Sequence, residues 1–315
     1  MPLDVVFCRR WCPHHSSTGG STASAARDGS VSTARAAYPR RLRRVHTLDP
    51  RALSDRDELL AVMSRRRLDD LIAHGSIIRL RRGVYCSPEL PYSTQRAIRA
   101  GGVLGCISAA ESFGLWHPPD ARVHVHFDRA RSRRREAGSV QHWWPTVDAR
   151  VSTRTSLADC LAHVVRCQPR AIAVAVIDSA LHAGVASHDE MDAILERVPM
   201  RHRLPVSMLD ARSESGIESL VRVALVDAGL ACAPQVVIPG VGRVDLVVEG
   251  RVIVEVDGRR WHQGEQSRDY ARDLAALAAG LGVVRVDYAH AIARADLVVG
   301  AVRQALRRPR TLHTG

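Results

Sequence analysis

At 315 residues the chain is long enough for two or three domains, and its apolar (46%) and charged (25%) fractions are ordinary for globular protein. The charge balance is less ordinary, since 45 basic residues, every one an arginine, outweigh 33 acids and leave a net +12. Seven scattered cysteines make no disulfide framework, and without an apolar run of about 18 residues or a signal-peptide core the chain reads as cytoplasmic, with no membrane partner.

Arginine makes planar, bidentate contacts with phosphates, so an arginine-driven excess points to nucleic acid. GC-rich codon use accounts for arginine in place of lysine, but not for the net charge. Residues 1–48 are rich in Ser, Thr, Gly, Ala and Arg without periodicity and read as a disordered basic arm, or as an early start codon. Cys8, Cys12, His14 and His15 cluster there, but no second ligand pair stands at finger-like spacing.

A structured unit is expected over 49–100. "DRDELLAVM" is helical, and Ser64 caps "RRRLDDLIAHG", whose Leu68, Leu71 and Ile72 make an apolar stripe ended by Gly75. "SIIRLRRGVYCSP" then gives two short strands around Arg81-Arg82-Gly83. Helix, helix and basic wing is the order of a winged helix-turn-helix. Arg65, Arg66 and Arg67 fall in the first turn of the second helix, and Arg79, Arg81 and Arg82 on the wing, as DNA contacts. The stretch "SRRRLDDLIAHGSIIRLRRGVYCSP" resembles the N-terminal domain of AbiEi-type antitoxins, which implies a winged helix and DNA as partner.

Residues 101–205 read as a mixed and helical connector. "CISAAESFGLWHPPDARVHVHF" resembles the segment next to that domain in many actinobacterial proteins, a small helix-and-strand unit. His124 and His126 alternate on a strand and read as strand-face residues, since no third metal ligand is evident. "RARSRRREAGS" (129–139) is a charged loop. Three helical runs come between 155 and 200, the last capped by Ser187 with Glu190, and none carries evident chemistry.

The last unit, 206–308, opens with "SESGIESLVRVALVDAGL", whose 217, 220, 221, 224 and 225 form one helix face, with Glu218 and Arg222 four apart beside it. "PQVVI", the hairpin "RVDLVVEGRVIVEVDGRRWH", the helix "SRDYARDLAALAAG" and the strand "VVRVDY" complete it. Asp245, Glu255 and Asp257 interrupt apolar strands, and a buried carboxylate needs a metal ion, a basic neighbour or a solvent-filled cleft.

The element order and the acids Glu218, Asp245 and Glu255-Val256-Asp257 resemble the PD-(D/E)xK nucleases. "VDL", "VEVDGRRWH", "RDYARD" and "GLGVVRV" are similar to the very-short-patch-repair (Vsr-like) endonuclease family, over about residues 213–292. The resemblance implies a restriction-endonuclease-like mixed sheet flanked by helices, so the whole chain is expected to be α/β, or α+β multi-domain. It implies a Mg²⁺ or Mn²⁺ site with Asp245, Glu255 and the Val256 carbonyl as ligands and Glu218 nearby, because such ions take hard oxygen ligands. His262 would act as general base or leaving-group stabiliser. The signature lysine is replaced by Asp257, and Arg243, Arg260, Arg268 or Arg272 would supply phosphate-binding charge. Two functions are open: a metal-dependent DNA endonuclease, or a non-catalytic, antitoxin-like DNA-binding regulator with a degenerate nuclease domain. A homodimer is left open.

The hairpin tests the site. A two-residue turn at Glu249-Gly250 would send Asp245 and Glu255 to opposite faces. A three-residue loop, Glu249-Gly250-Arg251 with Gly250 at positive φ, sets Val248 against Val252, Asp245 against Glu255 and Asp257 against Arg243. The three-residue loop is the expected one.

Overall fold

The computed structural model describes residue 48 and residues 52–128, 138–146, 153–257 and 266–307; for 257 and 266–271 it describes the backbone alone. The N-terminal arm with Cys8, Cys12, His14 and His15, and nearly all of the charged loop at 129–139, lie outside the described residues.

The first elements are β1 (Leu53–Ser54), α1 (Arg56–Val62), α2 (Arg65–Ala73), β2 (Ile78–Arg81) and β3 (Val84–Cys86). Asp55 starts α1 with a reciprocal cap, accepting from the Glu58 N–H at 2.8 Å and donating its own N–H to Glu58 at 2.9 Å. Ser64 accepts from the Arg67 N–H at 3.3 Å, and Gly75, at φ +70°, turns the chain out of α2. The strands order β1-β3-β2, all antiparallel, so the expected wing is joined by a strand that the sequence does not announce. Leu59, Leu68, Leu71, Ile77 and Tyr85 bury the inner faces. Arg65, Arg66, Arg79 and Arg82 are exposed, whereas Arg67 and Arg81 are half-buried.

The middle of the chain holds α3 (Tyr92–Ala100), β4 (Val103–Leu104), α4 (Cys106–Ser112), β5 (Val123–His126), β6 (Ser139–His142), α5 (Leu157–Cys167), α6 (Arg170–His182) and α7 (His188–Glu196). Its small sheet orders β4-β5-β6, with β5 parallel to β6. Gly102 is required by close approach, because a Cβ there would sit 2.4 Å from the His126 carbonyl oxygen.

The C-terminal elements are α8 (Gly216–Asp227), β7 (Cys232–Ile238), β8 (Gly242–Val248), β9 (Val252–Asp257), α9 (Gln266–Ala278), β10 (Gly282–Asp287), α10 (Tyr288–Ala293) and α11 (Ala295–Arg307). The sheet orders β10-β9-β8-β7, antiparallel through β7–β9 with β10 parallel to β9. Ile217, Val221 and Leu225 of α8 and Val298 and Val302 of α11 pack on Leu246, Val248, Val252 and Val254. The chain is of mixed α+β class. No helix among the described residues is long and apolar enough to cross a membrane.

Helices α6 and α8 join the middle of the chain to the C-terminal sheet through a buried ion pair. Asp178 (0% exposed) accepts from Arg222 Nη2 at 2.7 Å, from Ser219 Oγ at 2.7 Å and from the Asp210 N–H at 2.8 Å. Arg222 also donates to the Met208 carbonyl at 2.7 Å. Arg222 thus bonds across to other segments: a buried guanidinium needs several acceptors at once, and Asp178 with Met208 supplies them. At the first residue of α8 a Cβ on Gly216 would lie 2.1 Å from Trp116 Cδ2, and the Trp116 ring packs against both the middle and the C-terminal cores.

Candidate functional site

The hairpin has the three-residue loop. Val248 pairs with Val252, Val247 with Ile253 and Leu246 with Val254, leaving Glu249-Gly250-Arg251 between the strands. Positive φ falls on two residues rather than on Gly250 alone: Glu249 at +51° and Gly250 at +62°. Glu249 is held there by Ala231, whose carbonyl accepts its N–H at 2.9 Å and whose N–H donates to its carboxylate at 2.6 Å.

Continuing that register places Asp245 opposite Glu255. The Asp245 side chain reaches across and accepts the Val256 N–H at 2.8 Å. On the other side the β7–β8 register sets Gln235 opposite Asp245, between the pairs Pro234–Leu246 and Val236–Val244. Gln235 has φ +53°, a strained conformation for a side-chain-bearing residue. Its amide donates to Glu218 at 2.9 Å and lies 3.5 Å from Asp245 Oδ1. Glu218, buried at the start of α8, also accepts from Ser215 Oγ at 2.8 Å and the Glu214 N–H at 3.0 Å. Gln235 thus ties the helix acid to the strand acid.

Burial, and then the facing Asp245 charge, push the Glu255 carboxyl up to about 7. Arg272 opposes this from α9, with Nη2 3.1 Å from Glu255 Oε1, while the same guanidinium donates to the Arg243 and Val241 carbonyls at 2.6 and 3.2 Å. Burial raises Glu218 as well, against the pull of its three donors.

Of the expected residues, Glu218, Asp245, Glu255 and Arg272 come together. Val256 contributes its N–H to Asp245. Arg243 bonds Glu214 at 2.7 Å, which approaches from the segment before α8. Asp257 pairs through its backbone with Asp287 of β10, and its side chain, like that of Arg268, lies outside the described residues. Arg260 and His262 also lie outside them. Gln235 was missed, and a lone glutamine in an apolar strand gives little signal.

The middle of the chain holds a second cluster that sequence reasoning missed. His124, read as a strand-face residue, does have companions: ligand atoms of Cys106, His124, His142 and Cys167 all lie within 4.8 Å of one another. Cys167 ends α5, so the helical run read as free of chemistry contributes to it. The histidine alternation on β5 and the His142 that ends β6 were the available signal.

No protein-family model matches the chain. Two proteins of Mycobacterium tuberculosis are similar: "Uncharacterized protein MT2308" of strain CDC 1551 / Oshkosh and "Uncharacterized protein Rv2248" of strain ATCC 25618 / H37Rv. Each is 29% identical over 235 residues, covering 67% of this chain and 85% of the relative. Among solved structures, the crystal structure of the RV2827C protein from Mycobacterium tuberculosis aligns at 17% identity, over 57% of this chain and 73% of that one. Its TM-score is 0.28, at which the two folds are not equated.

Proposed function

We propose that the chain is a metal-dependent DNA endonuclease that hydrolyses phosphodiester bonds in the cytoplasm and is brought to DNA by its N-terminal helix-helix-wing unit. The observation that carries this reading is the meeting of Asp245 and Glu255 across adjacent strands, where Asp245 bonds the Val256 N–H and its charge raises Glu255, with Glu218 tied to Asp245 through Gln235. Among the described residues, the three carboxyls share a single ion pair, Arg272 on Glu255, so the site suits a further cation. All the donors are oxygens, which fits Mg²⁺ or Mn²⁺.

Asp245 and Glu255 would hold the ion, and Glu218 would assist through Gln235. A bound ion supplies charge to polarise the phosphoryl oxygen and acidify the attacking water. Arg272 would turn from Glu255 towards the scissile phosphate, taking the place of the signature lysine that Asp257 replaces. The resemblance to the Vsr-like endonucleases adds to this reading, as does the order helix, three antiparallel strands, helix, parallel strand. The N-terminal resemblance to AbiEi-type antitoxins supports DNA as partner.

The Arg272–Glu255 ion pair also favours a second reading, a non-catalytic DNA-binding regulator in which that arginine has taken the cation's place. Incubating the full chain with supercoiled plasmid and Mg²⁺ or Mn²⁺ separates the two. Nicking that chelator abolishes is expected for the nuclease; DNA binding without cleavage in either ion would overturn that reading in favour of the regulator.

DNA binding itself is expected to depend on α2. Arg65 and Arg66 are exposed in its first turn, with Arg67 beside them. Replacing all three with alanine removes up to three phosphate contacts and should lower the salt slope of log K by roughly 3. A mobility shift at several salt concentrations reads this, and an unchanged slope would sink the assignment of α2 to DNA.

A further inference from the structure

We propose that Cys106, His124, His142 and Cys167 form a structural zinc site that clamps the middle of the chain. The four come from four elements. Cys106 opens α4, His124 lies on β5, His142 ends β6 and Cys167 ends α5. Their ligand atoms lie within 4.8 Å of one another. His124 Nδ1 is 3.1 Å from His142 Nε2 and 3.7 Å from Cys167 Sγ. A tetrahedral zinc with ordinary bonds, about 2.3 Å to sulfur and about 2.0–2.1 Å to nitrogen, sets its ligand nitrogens roughly 3.3 Å apart and nitrogen to sulfur roughly 3.6 Å apart. The two separations at His124 match that tetrahedron, and the remaining ligand atoms lie within 4.8 Å of one another.

Their surroundings are those of a metal centre. Cys106 (0% exposed), His124 (1%) and His142 (3%) are buried, and Cys167 is half-buried. Asp120 Oδ2 lies 3.4 Å from His124 Nε2, so the carboxylate orients the ring and leaves Nδ1 for the ion. Gln168 Nε2 lies 3.5 Å from Cys106 Sγ and 3.3 Å from Cys167 Sγ, giving both sulfurs an amide donor. Cys106 has φ 51°, a costly backbone for a residue with a Cβ, and that strain is sited at a ligand position.

The chemistry selects the ion and its role. Two thiolates and two imidazoles suit zinc and do not suit Mg²⁺, so this site is separate from the acidic one in ligand set as well as in place. On binding, the two thiols release their protons to solvent. All four positions are taken by protein, which leaves none for substrate: the ion would be structural. It would pin the ends of α5 and β6 to the start of α4 and to β5.

The test uses the full chain, purified without chelator. One zinc per chain is expected, with an X-ray absorption edge showing two sulfur and two nitrogen neighbours. Cys106→Ser with Cys167→Ser should lower the zinc content to roughly a tenth or less, while Glu255→Gln leaves it unchanged. Retention of zinc by the double variant would overturn the proposal, as would a zinc-free wild-type chain that takes up neither Zn²⁺ nor Co²⁺. A Cys106–Cys167 disulfide in the intact mass would do the same. If the double variant fails to fold, the absorption spectrum of the wild-type chain decides, and a shell without sulfur overturns the site.

Discussion

Glu255→Gln is expected to inactivate the protein and, in the absence of divalent ion, to stabilise it above neutral pH. The folded carboxyl sits near 7, above its ordinary 4.5, because burial and Asp245 disfavour its charge more than Arg272 favours it. A group whose folded value is raised gives its stabilisation in full below about pH 4.5, and that stabilisation is lost as pH climbs through 7. Glutamine keeps the volume and removes the titration. The variant should gain on the order of 1–3 kcal/mol over the parent at about pH 8, a gain that fades by about pH 5. Chemical denaturation at the two pH values reads the difference, and parallel curves for parent and variant would contradict it. In cleavage the sign reverses: losing one ligand charge should cost about 3 kcal/mol of transition-state stabilisation, roughly 100-fold in rate. Undiminished cleavage at the same metal dependence would remove Glu255 from the ligand set.

Asp178→Ala is expected to destabilise the chain by about 3–5 kcal/mol, because it strands the Arg222 guanidinium in a site with few other acceptors. Arg222 is 6% exposed and, among the described residues, would keep only the Met208 carbonyl, while Ser219 and the Asp210 N–H also lose their acceptor. Replacing both charges with apolar residues of similar size, Asp178→Leu with Arg222→Met, should recover most of the loss, since it leaves no buried charge unpaired. Urea midpoints test both statements. A single variant within about 1 kcal/mol of the parent would show that the pair contributes little.

Much of this was legible because it is local. Caps, an apolar stripe and a glycine stop define α1 and α2, and the parity of two strands with one loop length sets Asp245 against Glu255. What was not legible depends on segments far apart in the chain. The two-residue β1 is too short to show a period, and only its pairing with β3 makes it a strand. Arg222 shares a helix face with Glu218, and only the fold brings Asp178 of α6 to it. Cys106 and Cys167 lie on either side of the His124 and His142 strands, with no short ligand spacing of the kind that marks a zinc finger. Gln235 takes its role from a backbone twist that its own side chain does not encode.

Gly216 bears on how the chain can be cut and recombined. The missing Cβ makes a notch that the Trp116 ring fills from a segment 100 residues earlier. A C-terminal piece begun at 206, where composition alone invites a cut, would carry the notch without its wedge. A graft of α8 and its sheet onto another DNA-binding module would need an aromatic ring delivered at the same height. The seam for shuffling therefore lies N-terminal to Trp116, and the middle segment travels with the sheet as one cassette.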